Sequence, residues 1–191
     1  MVTDNQAAIQ AKAKTRNAPT DNTALHVAVK NSSCKAISVL ISNEFVEITD
    51  EVVKAAAGNE DSGREVMELL LDRRGDIIQI TDEVVKAAAG NEDSGREVME
   101  LLLDRRGDII QITDEVVKAA AGNEDSGREV MELLLDRRGD NVQITDEVVK
   151  AAAANDNSGK EVMELLLDRR GDNVASYKSL AARHARVNPG Q

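Results

Sequence analysis

The chain has 191 residues, with 24 Lys plus Arg against 35 Asp plus Glu and a formal net charge of −11. That balance excludes nucleic acid and anionic membrane as main partners, since both require a basic footprint. One Phe, one Tyr and no Trp leave any core to aliphatic side chains, one Cys excludes an internal disulfide and a cysteine-based zinc site, and two His leave no His-centred catalytic apparatus.

Residues 1–20 are polar and Ala-rich and read as either a frayed helix or disorder. They lack the apolar run of a signal peptide, and nowhere does the chain reach the roughly 20 apolar residues of a membrane helix. A cytoplasmic location is the expectation. Residues 21–47 read as an N-terminal cap, with apolar spacing in TALHVAVKNSSCKAISVLI but short loops.

A tandem repeat follows. The block ITDEVVKAAAGNEDSGREVMELLLDRRGDIIQ at 48–79 recurs unchanged at 80–111. The copy at 112–143 differs only in Asn141 and Val142, and the copy at 144–175 departs at Ala154, Asp156, Asn157, Lys160 and beyond. Each of the first three blocks carries eight acidic and four basic side chains. Residues 176–191 read as a basic capping helix, ended by Pro189 and Gly190, and a tail.

Each block reads as two helices. Thr49 is the expected N-cap, with Asp50 and Glu51 at the positive end of the first helix, which stops at Gly58 and Asn59. Ser62 and Glu65 have capping-box spacing at the head of the second helix. That helix runs to about Arg74, with Gly75 placed for a left-handed cap and Ile77, Ile78 and Ile80 in an extended connector. At 100° per residue, Val66, Met67, Leu69, Leu70 and Leu71 span an arc too wide for a surface helix. A 32-residue unit is also too short to fold unaided. Stacking covers both faces, so the expected fold is an all-α solenoid of helix–loop–helix repeats with terminal caps.

The polar positions yield no catalytic, cofactor or metal site. The loop Gly58-Asn59-Glu60-Asp61-Ser62-Gly63 lacks the alternating ligands of a calcium loop. The Arg74-Gly75-Asp76 triplet reads as a helix end, its arginines facing the negative pole and building ladders with Asp72 or Asp76 of adjacent repeats. Glu65, Glu68 and Asp72 read as a solvated acidic ridge. The first helix has one polar strip, which recurs as Asp50, Glu51 and Lys54; Asp82, Glu83 and Lys86; Asp114, Glu115 and Lys118; and Asp146, Glu147 and Lys150. This strip is the candidate partner-binding surface, with an Asp50–Lys54 pair as its modest structural role.

Thr23-Ala24-Leu25-His26, Ala28, Ile37, Val39, Leu40 and Ile41 resemble the T-P-L-H-x-A…V-x-x-L-L-L pattern of the ankyrin repeat, with Ala24 in the proline's place. The 32-residue blocks resemble the degenerate ankyrin-type V-V-K-A-A-A…L-L-L-D-R-R-G-D repeats of fungal NTPase-linked immunity-like proteins. Relative to ankyrin, the interhelix loop is longer and the link between units is shorter, so the resemblance implies stacked helix pairs with truncated fingers. It implies a buried, hydrogen-bonded His26 and a non-enzymatic protein-binding scaffold, its partner a protein or basic peptide. The alternative is a self-assembling structural protein whose stack continues across subunits.

Overall fold

In the computed structural model, residues 22–139 and 141–169 are described. Residues 1–20 and the expected capping helix and tail at 176–191 lie outside them. Ten helices occupy the described residues: α1 (Asn22–Lys30), α2 (Cys34–Ile41), α3 (Asp50–Ala57), α4 (Gly63–Arg74), α5 (Asp82–Ala89), α6 (Gly95–Arg106), α7 (Asp114–Gly122), α8 (Gly127–Arg138), α9 (Asp146–Ala154) and α10 (Gly159–Arg169). No strand occurs among these residues.

The helices pair in sequence and the pairs stack. One layer is α1, α3, α5, α7 and α9, and the other is α2, α4, α6, α8 and α10. The fold is therefore an all-α repeat solenoid, as the wide apolar arcs require. In the first layer Val52, Val53, Ala56 and Ala57 are buried; in the second, Val66, Met67, Leu70 and Leu71. One contiguous apolar core runs from Leu25 to Leu166.

The first-layer helices pack more closely on one another than the second-layer helices do. Their small side chains are the reason. A Cβ placed on Gly58 would touch that of Ala87 at 3.7 Å, and one on Gly122 would touch that of Ala151 at 3.8 Å. Leu and Met hold the second layer further apart.

The helix ends depart from the sequence reading. Thr49 has the extended backbone of an N-cap (φ −82°, ψ 163°), but its hydroxyl makes no capping bond. Its carbonyl instead accepts the Val52 and Val53 N–H groups at 3.0 and 3.1 Å. Ser62 makes no capping bond either, so the Ser62–Glu65 box does not form. Gly75 is right-handed (φ −60°, ψ −23°), not left-handed. Glycine is needed there for room, because a Cβ would run into the Leu71 carbonyl and meet Arg106 at 3.2 Å. The connector opens as a turn rather than extended, with the Ile77 N–H donating to the Arg74 carbonyl at 3.1 Å. His26 is only half-buried, on a first-layer helix whose inner face is taken by Leu25, Ala28 and Val29.

Candidate functional site

Two long edges and one face of the stack carry its polar chemistry. The interhelix-loop edge is built on four buried asparagines: Asn59, Asn91, Asn123 and Asn155. Each Asn Oδ1 accepts the backbone N–H of the Ser three residues on, at 2.8 to 2.9 Å. That bond fixes the turn into the second helix, which the expected Ser hydroxyl does not do. Each Nδ2 then reaches back into the preceding unit. Asn91 donates to the Ala57 and Asn59 carbonyls at 3.0 and 2.9 Å, Asn123 to Ala89 and Asn91 at 3.1 and 2.7 Å, and Asn155 to Ala121 and Asn123 at 3.2 and 2.7 Å. Asn59 starts the series on the Val29 carbonyl at 2.8 Å.

The serines complete it. Ser94 Oγ donates to the Asn59 carbonyl at 3.1 Å, and Ser126 and Ser158 repeat the bond at 3.0 and 2.9 Å. Ser62 Oγ, which faces the cap rather than another block, is buried without a hydrogen-bond partner. The glycine after each serine makes this approach possible. A Cβ on Gly63 would lie 2.8 Å from Ser94 Oγ and 3.1 Å from Asn91 Nδ2. The edge thus runs on an N-x-x-S-G unit whose polar groups are spent on the preceding unit's backbone.

The opposite, connector edge is held by arginines. Arg105 pairs with Asp72 at 2.8 Å, Arg137 with Asp104 at 2.6 Å, and Arg169 with Asp136 at 2.7 Å. The expected ladder therefore forms on the Asp72 series, not on Asp76, and the acidic ridge of the second helix is partly neutralised by it. Arg106 donates to the Gly75 carbonyl and Arg138 to that of Gly107. The arginine of each R-G-D triplet among the described residues, Arg74, Arg106 and Arg138, is thus an inter-unit clamp.

The first-helix strip lies on the first layer, as the sequence places it. Its glutamates and lysines pair along the stack. Lys54 Nζ meets Glu83 at 2.8 Å, Lys86 sits 3.8 Å from Glu83 and 3.7 Å from Glu115, Lys118 is 3.7 Å from Glu115, and Lys150 is 2.7 Å from Glu147. The expected Asp50–Lys54 pair does not form; Lys54 reaches the longer Glu83 side chain of the next unit. The hydrogen bond from Lys54, with the charges of Lys54 and Lys86, holds the Glu83 carboxyl below the usual carboxylate range. Lys150 does the same for Glu147, and Glu147 raises Lys150 in turn. Glu51 is lowered by its own backbone N–H, then by the Thr49 hydroxyl, with a small contribution from His26.

Asp50, Asp82, Asp114 and Asp146 are all exposed, and none has an ion pair among the described residues. On the same layer, but without these aspartates, Lys54, Gly58, Glu60, Glu83, Lys86 and Ala87 are among the residues that line an open groove between first-layer helices. In the loops, Glu92 is raised by desolvation and by its neighbours Glu60, Asp125, Glu124 and Asp93.

The asparagines are the residues that composition and periodicity miss. A signal for them exists. In the divergent fourth unit Gly, Glu, Asp and Arg of the loop give way to Ala154, Asp156, Asn157 and Lys160, while Asn155, Ser158 and Gly159 stay.

A family model described as Domain of unknown function (DUF7104) matches residues 43–67, 69–99, 101–131, 133–163 and 165–175. From residue 69 onward its units start 32 residues apart, inside the second helix of each block. No curated protein and no solved structure matches the chain.

Proposed function

This chain belongs to the family described as Domain of unknown function (DUF7104), and from that premise we propose that it is a non-enzymatic protein–protein interaction scaffold whose contact face is the first-helix layer. The observation that carries this is the row Asp50, Asp82, Asp114 and Asp146, exposed and free of ion pairs among the described residues, beside a lysine–glutamate series that is already self-paired. Charge left unpaired at regular intervals is what steers and selects a basic partner. In this reading the closer packing of the first layer curves the stack toward it and sets the row on the inner side, as in other solenoids that bind along a concave face.

The ankyrin-like identity belongs to this reading as well, resting on the cap residues Thr23, Leu25, His26 and Ala28 and on the helix–loop–helix units. The partner is a protein or basic peptide met in the cytoplasm, a compartment that suits one unpaired thiol at Cys34. A fluorescein-labelled, unstructured Lys/Ser peptide tests the face. Its affinity falls steeply between low and physiological ionic strength, and Asp50→Asn/Asp82→Asn/Asp114→Asn weakens it while leaving the melting temperature almost unchanged. Unaltered affinity in that variant removes the contact role from the strip.

A further inference from the structure

The connector edge carries a second surface. The two residues that follow each acidic position there divide in a fixed way. Val46, Ile78, Ile110 and Val142 turn inward and are buried, while Phe45, Ile77, Ile109 and Asn141 turn outward. Ile77 and Ile109 are 48% and 58% exposed, the only large apolar side chains of the described blocks left so open. Solvent-facing isoleucine gains the fold nothing, and the third unit shows as much, because it keeps an apolar residue inside at Val142 and carries Asn141 outside in an otherwise identical sequence. The outward row is thus apolar at Phe45 of the cap and over two successive blocks, and polar at the third block.

Acidic side chains precede this row in both units. Asp76 and Asp108 are exposed and have no ion pair among the described residues. Of the nearby cations, Arg105 is committed to Asp72 and Arg106 to the Gly75 carbonyl, while Arg73 is exposed with no ion pair among the described residues. We propose that Ile77 and Ile109, with Asp76 and Asp108 beside them, form a docking edge for a cationic amphipathic helix of a partner protein. The reading rests on the scaffold function above and assigns it a second contact surface. Stacked helices repeat at about 8–10 Å, and seven residues of an α-helix advance about 10.5 Å. A helix lying along the edge with an apolar residue at every seventh position therefore meets Ile77 and Ile109 in register. Lysine or arginine next to those residues meets Asp76 and Asp108. The acidic flank repels anionic membrane, so a protein helix is the occupant.

The probe is a fluorescein-labelled helical peptide of about 20 residues, with Leu at every seventh position and Lys on either side. Fluorescence anisotropy with the full chain shows binding that weakens about tenfold or more in Ile77→Asn/Ile109→Asn, a change of roughly 1.4 kcal/mol per decade. The melting temperature stays within a degree or so, since Asn141 already occupies the equivalent place. Asp76→Asn/Asp108→Asn weakens binding mainly at low salt. Equal affinity in the isoleucine variant overturns the proposal, as does equal binding of a peptide with Glu in place of Lys. Weakening by Asp82→Asn/Asp114→Asn alone overturns the edge and leaves the first-layer face standing. Sedimentation showing a dimer that the isoleucine variant abolishes, without peptide binding, assigns the edge to a second copy and overturns it too. A chain that binds neither this peptide nor the Lys/Ser peptide overturns both readings.

Discussion

The loop edge and the connector edge join the same units across the same spacing, yet by opposite chemistry. On the loop edge, neutral amides are buried and the bonds their nitrogens send to the preceding unit end on backbone carbonyls, so desolvated carbonyls depend on each asparagine. On the connector edge, ion pairs such as Arg105–Asp72 sit with both side chains roughly half exposed, at 44% and 50%. A buried donor that loses its acceptor costs the full desolvation of that group, whereas an exposed pair trades one solvated state for another. The difference teaches where rigidity is stored. The loop edge sets the stacking geometry, and the connector edge is left free to vary, as Asn141 shows.

Removing one asparagine is the strongest way to break this comparison. Asn91→Ala deprives the Ala57 and Asn59 carbonyls and the Ser94 N–H of their shared partner. A loss of about 2–4 kcal/mol is expected, read as an earlier midpoint in urea with the slope unchanged. A loss below about 1 kcal/mol means that water replaces the amide and the loop edge is no stiffer than the other.

The matching cut on the connector edge is Arg105→Ala, which leaves the Arg106 clamp in place. Its cost is at most about 1 kcal/mol and shrinks further as salt is raised. A cost equal to that of Asn91→Ala erases the distinction between the edges.

Acid titration gives the smallest and sharpest effect, because both signs occur in one stack. Glu83 and Glu147 are lowered in the folded chain by their lysines, so their contribution is present above the unfolded carboxylate value near 4.5 and is lost as pH falls through the folded value. Glu92 is raised among the loop acids, so the folded state takes up its proton more readily and gains as pH falls toward 4.5. Glu83→Gln therefore flattens the acid side of the stability curve, and Glu92→Gln steepens it. Urea midpoints measured between about pH 3 and 6 decide, and parallel curves for both variants contradict the assignment.

The helix pairs and their stacking were legible in the sequence because Val, Leu and Met recur at helical spacing over arcs too wide for one neighbour. Both helices of the first block fall within the expected bounds, Asp50–Ala57 and Gly63–Arg74. The helix ends were not legible, because local signals compete with neighbours the sequence does not display. Ser62 and Glu65 have the spacing of a capping box, but the serines of later units donate to the preceding unit's Asn carbonyl, and Asn59 performs the capping. Gly75 has the right composition for a left-handed turn and serves to admit Arg106. The candidate strip was placed correctly on one layer, but its pairing was misread. Lys54 crosses to Glu83, because a neighbour one unit away offers a longer acidic arm than Asp50 within the same helix.

The asparagine series also has a direction. Each amide from Asn59 to Asn155 donates toward the N-terminus, to carbonyls about 30 residues earlier in the chain. During synthesis, therefore, the acceptors of every unit have already left the ribosome when its asparagine emerges. Each unit's asparagine meets acceptors that already exist, while the carbonyls of the newest unit stay open to the one that follows.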